Sequence, residues 1–319
     1  MKLLRLAPEN TKFGFMRFRR VSYPLSAALS IVSVVMFLFV GMNYGIDFAG
    51  GTQVDIRAKS GEAHVAEIRA RADSLGLGPV EVQRIGGDAD VLLRLQVQPG
   101  GDAAQEAAVA NLRQTFSSDY EFRSVDAVGP TVSAELVQSG TLGVVVAIIA
   151  VLTYLWFRFE WQFAVGAIIG TMHDLLLTVG FFCVTQLEFN QTSIAAILTI
   201  VGYSLNETVV VLDRIREVMR KYKRLSTAEI VDMSVNAVLP RTIMTATTVF
   251  LALLALFFLG GHVIRSFSAA MIWGIFVATY SSIFICSPML IYMGVRADAL
   301  DRSKEQDTGA ASADAKVKA

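Results

Sequence analysis

Six long apolar runs alternate with polar connectors along most of the chain, and one hydrophilic stretch interrupts them. The runs are approximately Pro24 to Tyr44, Gly140 to Phe157, Phe163 to Thr185, Thr192 to Leu212, Arg241 to Leu259 and Ser266 to Tyr292. Each is about the length a helix needs to cross a bilayer, close to 20 residues. The interrupting stretch changes period instead. Gln53 to Arg57 alternates as a strand, Glu62 to Leu75 repeats as a helix, and Val80 to Ile85 and Val91 to Val97 read as strands around a Gly86-Gly87-Asp88 turn. Ala103 to Phe116 then reads as a helix and Tyr120 to Val128 as a strand. The order β-α-β-β-α-β predicts a ferredoxin-like α+β domain.

The expected organisation is a polar N-terminus over 1–23, a first transmembrane helix over 24–44, the ferredoxin-like domain over 45–137, a five-helix membrane bundle over 138–292, and a disordered tail over 293–319. The tail is rich in Ala, Lys, Asp and Ser. A basic start followed by an apolar run also describes a signal peptide, but this run is long for one and no A-x-A-like site closes it, which favours an uncleaved span. Ser226-Thr-Ala-Glu229 has the form of a capping box, so a further helix is expected to run from there toward Pro240, which should kink it or open the fifth span.

Composition agrees with a membrane protein. Of 319 residues 54% are hydrophobic and 18% charged, and the mean hydropathy is +0.52. Positive and negative side chains balance, so net charge gives no bulk attraction to nucleic acid. The basic residues sort by side: Lys2, Arg5, Lys12, Arg17, Arg19 and Arg20 before the first run, Arg158, the cluster from Arg214 to Arg224, and Arg296, Arg302 and Lys304 after the last. The opposite short loops hold only Arg265. By the positive-inside rule both termini are cytoplasmic and the α+β domain is extracytoplasmic. Asp213 to Arg224 offers a basic surface for anionic headgroups. Cys183 and Cys286 both lie inside apolar runs, so the domain has no disulfide framework.

The chemistry concentrates in the fourth and fifth runs. Val201 to Glu217, VGYSLNETVVVLDRIRE, places Glu207 among apolar residues. An acid at that depth costs about 2.5–3.5 kcal/mol, so it needs a partner or a wet cavity. Arg241, opening the run that contains PRTIMTATT, is the candidate cation, and Arg241, Thr245 and Thr248 share a face by i, i+4, i+7 spacing. Tyr203 lies one turn before Glu207. A carboxyl that gains or loses its proton as a cation moves is a proton carrier; the competing reading is a structural hydrogen-bond network, with Arg241 snorkelling to headgroups.

His173 and Asp174 in the third run add a second intramembrane acid, able either to extend a relay or to hold helices together. Being adjacent, they are expected on different faces, and with His64 and His262 not at ligand spacing no metal site is expected. GIDFAGGT, containing Gly45, Asp47, Phe48, Gly50 and Gly51, and VGPTVSAEL, containing Gly129 and Pro130, tether the domain at both ends through turn-forming residues that suit a hinge.

Taken together, GIDFAGGT, VGPTVSAEL, VGYSLNETVVVLDRIRE and PRTIMTATT occur in the order found in the SecF family, the smaller membrane subunits of the SecDF accessory complex of bacterial protein export, and the chain resembles that family to about Tyr292. The resemblance implies an RND-superfamily half with no cofactor and no enzymatic activity, driven by the proton motive force at the bacterial inner membrane. It implies SecD as partner, the SecYEG translocon with YajC and YidC nearby, and an unfolded polypeptide as the translocating client. Glu207, in the N-[DE]-T motif, Arg241 and Thr245 correspond to the family's proton-transport residues; this chain carries Glu where some relatives carry Asp. A half-sized exporter of small molecules or lipids is the alternative and would need an apolar pocket in the outer domain. An intramembrane enzyme using His173 and Asp174 would need a nucleophile or metal triad, which the spacing does not offer. No GxxxxGK[ST] motif is present, so the energy source is expected to be the proton gradient.

Overall fold

A computed structural model describes residues 11–85 and 87–295. Lys2, Arg5 and Glu9, Gly86 of the expected turn, and Arg296, Arg302, Lys304 and the tail beyond lie outside the described residues.

Among the described residues, six helices are long and apolar enough to cross a membrane. They are α1 (Arg19–Phe39, led by a 3₁₀ turn at Phe15–Phe18), α5 (Pro130–Arg158), α6 (Trp161–Thr185), α7 (Gln191–Lys221), α8 (Thr227–Leu259) and α9 (Gly261–Ser281). The last continues through a π-helical turn at Ser282–Cys286 into α10 (Ser287–Tyr292). Between α1 and α5 come a one-turn helix α2 (Ile46–Ala49) and the elements β1 (Gly51–Ala58), α3 (Val65–Asp73), β2 (Val80–Arg84), β3 (Asp90–Leu95), α4 (Asp102–Phe116) and β4 (Tyr120–Val128).

The strands form an antiparallel sheet in the order β2-β3-β1-β4, the order of a ferredoxin-like split motif. One face carries Val54, Ile56, Val91, Leu93 and Leu95 into a core with Ile68, Leu112 and Phe116 of the two helices. Beside that core, the hydrogen bond from Arg71 holds the Asp119 carboxyl below its ordinary range. The entering strand β1 and the leaving strand β4 are neighbours, with Gly51 opposite Val128. Both tethers therefore leave from one end of the domain.

Several spans differ in extent from the expected ones, for local reasons. The first helix starts at Arg19 and ends at Phe39 because Gly41 has φ +74°. Pro130 occupies the first turn of α5, where its missing N–H costs nothing, so the second span begins ten residues before Gly140. The capping box at Ser226 and Glu229 is formed, and α8 continues through Pro240 to Leu259 as one helix of 33 residues, about 50 Å long. Its first turns also dock the N-terminal segment, the Phe13 and Met16 amides donating to Asn236 and Asp232. The π turn has a similar cause. Pro288 has no N–H for the Phe284 carbonyl four residues back, and that carbonyl and the next accept the hydroxyls of Ser22 (3.2 Å) and Tyr23 (2.7 Å) on α1.

Burial sorts the spans into two groups. In α6, α7 and the α9 segment, 56%, 44% and 61% of the most apolar window is buried, against 17%, 6% and 11% in α1, α5 and α8. The three central helices approach closely where glycine faces a neighbour, as Gly180 does Ser33, Gly170 does Cys286 and Gly274 does Ile200. Two apolar clusters stack along them. One, containing Phe182, Ile197, Ile200 and Met271, lies toward the α+β domain; the other, containing Phe163, Leu212, Ile215 and Ile283, lies toward the opposite end. Between the two runs a polar belt of His173, Asp174, Ser204, Glu207, Thr208 and Ser281, all buried.

Candidate functional site

Glu207 projects from the middle of α7, a helix started by a capping box between Asn190 and Ser193 and uninterrupted for 31 residues. Its side chain is buried, at 3% exposure. Both carboxyl oxygens take hydroxyl donors from α8: Thr242 Oγ1 donates to Oε2 at 2.9 Å and Thr245 Oγ1 to Oε1 at 3.1 Å. Thr245 is thus where the spacing placed it. Arg241 is not. It is exposed on α8, and the expected pairing with Glu207 is absent from this structure. The reason is angular: successive residues turn about 100° on a helix, and α8 meets Glu207 along the line between Thr242 and Thr245, which leaves Arg241 to one side. Thr248 is exposed too, its hydroxyl spent on the carbonyls of Met244 and Thr245.

The Thr245 hydroxyl has a second set of acceptors, the carbonyls of Arg241 (3.1 Å) and Thr242 (3.0 Å). With one hydrogen to give, it serves either the carboxylate or its own helix. Tyr203 aims its hydroxyl toward Thr245 on α8 and Thr279 on α9, and neither it nor the Thr279 hydroxyl closes a hydrogen bond of good geometry.

Asp174 on α6 repeats the arrangement. Its Oδ2 accepts Ser204 Oγ of α7 at 2.5 Å and Ser281 Oγ of α9 at 2.8 Å. Its Oδ1 meets His173 Nδ1 at 3.1 Å. The two residues expected on different faces are therefore in contact, because the side chains fold toward one another across adjacent positions on a helix buried on nearly all sides. Among the described residues His173 Nε2 is enclosed without a hydrogen-bond partner. Thr242, Ser204 and Ser281 are the site residues that reading the chain missed. The available signal was the recurrence of Ser and Thr inside apolar runs, where a hydroxyl that faces a neighbouring helix bonds across to it.

The glycine motifs take definite shapes. Gly50 and Gly51 have φ of +71° and +115°, and a side-chain carbon at Gly51 would collide with the backbone carbonyl of Leu95. Gly45 packs so tightly on Glu188 that such a carbon would lie 2.5 Å from its Oε1. Asp47 Oδ2 accepts the Gln191 amide, the first of α7, at 2.9 Å. The Phe48 ring lies 5.6 Å from that of Phe189. Gly129 caps α5 and Pro130 opens it.

The family profile described as "Protein export membrane protein SecD/SecF, C-terminal" matches residues 108–296, and the SecD/SecF GG motif matches residues 35–62. Protein translocase subunit SecF of Rickettsia akari is 41% identical over 90% of this chain and 94% of its own length. Protein translocase subunit SecDF of Brucella abortus is 42% identical over 92% of this chain, which spans 39% of that longer protein. The crystal structure of SecDF from Thermus thermophilus superposes with a TM-score of 0.81 at 33% identity, covering 91% of this chain and 40% of that one. The chain belongs to the SecD/SecF family of protein export membrane proteins.

Proposed function

We propose that the chain is the SecF half of a SecDF complex that uses the proton motive force to promote protein export through the Sec translocase. One observation carries the proton step: the Glu207 carboxyl sits in the polar belt between two apolar clusters, held by hydroxyls of a second helix. Ionised, it accepts two hydrogen bonds from α8. Protonated, it loses its hold on at least one, and Thr245 returns its hydroxyl to the Arg241 or Thr242 carbonyl. The tie between α7 and α8 then depends on the proton, and a rocking of one against the other follows from its arrival and departure. Asp174 is a second acid on the same path.

The partner is SecD. Arg241 projects outward from α8, and α7 exposes Ala195, Thr199, Gly202 and Asn206 at helical spacing. Small residues on one face let another helix approach closely, and a second half-bundle there would supply the acid that Arg241 lacks within this one. The complex lies in the bacterial inner membrane with both termini cytoplasmic, the sidedness that the basic loops require. SecYEG, YajC and YidC are its neighbours, and the α+β domain hands the unfolded polypeptide outward. The relatives named above are translocase subunits, which favours this reading over a half-sized exporter of small molecules or lipids.

The test is Glu207→Gln in complexes reconstituted with SecD and the translocon. Proton conduction and the stimulation of export should fall together. If both persist, the proton step does not run through Glu207.

A further inference from the structure

Besides its two covalent tethers, the α+β domain meets the bundle through an ion pair at the start of the helix that carries Glu207. Arg94 of β3 lies on the sheet face opposite the domain core, 11% exposed, and its Nη2 meets Glu188 Oε2, 12% exposed, at 2.9 Å. Its Nη1 lies within hydrogen-bond distance of Asn43 Oδ1 (3.2 Å), the Tyr44 carbonyl (3.4 Å) and Glu81 Oε2 (3.3 Å), with two hydrogens to share among them. Glu188 lies in the middle of the connector from α6 to α7. Three residues on, Asp47 from the glycine-rich tether accepts the Gln191 amide, where a carboxylate also complements the positive end of the helix. Between these two contacts the tether and the connector exchange backbone bonds, Gly45 N to the Phe189 carbonyl at 2.9 Å and Phe189 N to the Asn43 carbonyl at 2.7 Å.

We propose that Asp47 and the Arg94–Glu188 pair are positioning residues that form a latch, passing displacement of α7 directly to the α+β domain. From Gln191 to Glu207 the helix is unbroken and spans about 24 Å, so a shift at the carboxyl moves the latch as one rod moves its end. The pair is nearly enclosed, and an ion pair removed from water yields little to solvent competition but fails when one partner is lost. Asp47 thereby gains a task that a flexible hinge would not give it. The inference rests on the proton reading of Glu207, and the experiment separates the two.

Complexes reconstituted with the partner subunit and the translocon would carry Arg94→Gln, Glu188→Gln, the double substitution, Arg94→Lys or Asp47→Asn. Proton conduction and export stimulation are both measured. Each neutral single substitution should lower export stimulation roughly fivefold or more, the range of a coupling energy between sites, with conduction at the unsubstituted level. The double should be no worse than the worse single, and Arg94→Lys, which keeps the charge, should recover part of the loss. Unchanged export in the singles, losses that multiply in the double, or conduction falling in parallel would each overturn the latch. Glu207→Gln run alongside reports on the proton reading alone: should it conduct, that reading fails, while the latch is still decided by the export cycle of Arg94 and Glu188.

Discussion

Glu207 is served by hydroxyls rather than by a cation, and this changes what its neighbours must do. A threonine hydroxyl turns within one side chain, whereas an arginine must be carried in and out. Thr245, with acceptors on both sides, is therefore the residue at which protonation becomes a change in helix contact. Thr245→Val keeps the shape and removes the donor. A hydrogen bond to a charged group is worth about 1.5–3 kcal/mol, so proton conduction in reconstituted vesicles should fall about tenfold or more, and Thr245→Ser should restore much of it. The acid was evident from the chain because a carboxylate in an apolar run needs a partner or a wet cavity. Thr242 was not, since Ser and Thr inside a span are common and only the rotation of α8 about its axis decides which of them faces Glu207.

At the scale of elements, local chemistry set the ends of helices and strands well. The Ser226 capping box, Pro130 in the first turn of α5 and the βαββαβ pattern each express a preference that holds within a few residues of chain. The extents were harder. Pro240 was expected to kink a helix or to open the fifth span; α8 runs through it as one helix, so the span does not open there. The glycine tether is tightly turned. Gly51 pairs with Val128 at φ +115° with the Leu95 carbonyl against its α-carbon, so Gly51→Ala should destabilise the domain by about 1–3 kcal/mol or more, the cost of a strained backbone. Hydrogen exchange of the β1 and β4 amides would show it; exchange as slow as in the unsubstituted chain would contradict it.

The molecule as a whole is a half-bundle whose inner helices are finished and whose outer surface is not. The face of α7 at Ala195, Thr199, Gly202 and Asn206 is exposed, and a side-chain carbon built at Gly202 meets nothing within 4 Å among the described residues. Gly202→Leu should therefore leave the isolated subunit folded and inserted while reducing copurification of the SecD partner from membranes. Undiminished recovery of the partner would place the interface elsewhere. Arg241 belongs to the same argument: a residue expected to complete the site within this chain points out of it, as it would if a second subunit were to complete its surroundings.

The sequence by itself determined which segments are apolar enough for a membrane, the order of strands and helices in the inserted domain, and the presence of two acids that lipid would not tolerate without partners. These follow from composition and short-range periodicity, which each segment carries alone. Only the tertiary structure decided that Glu207 and Asp174 share a belt between two apolar clusters, that hydroxyls hold them, that Arg241 lies outside, and that the domain is fastened at the start of α7. Such facts depend on how far each helix is rotated and shifted against the next, and that is settled by the close packing of many side chains from segments distant in the chain.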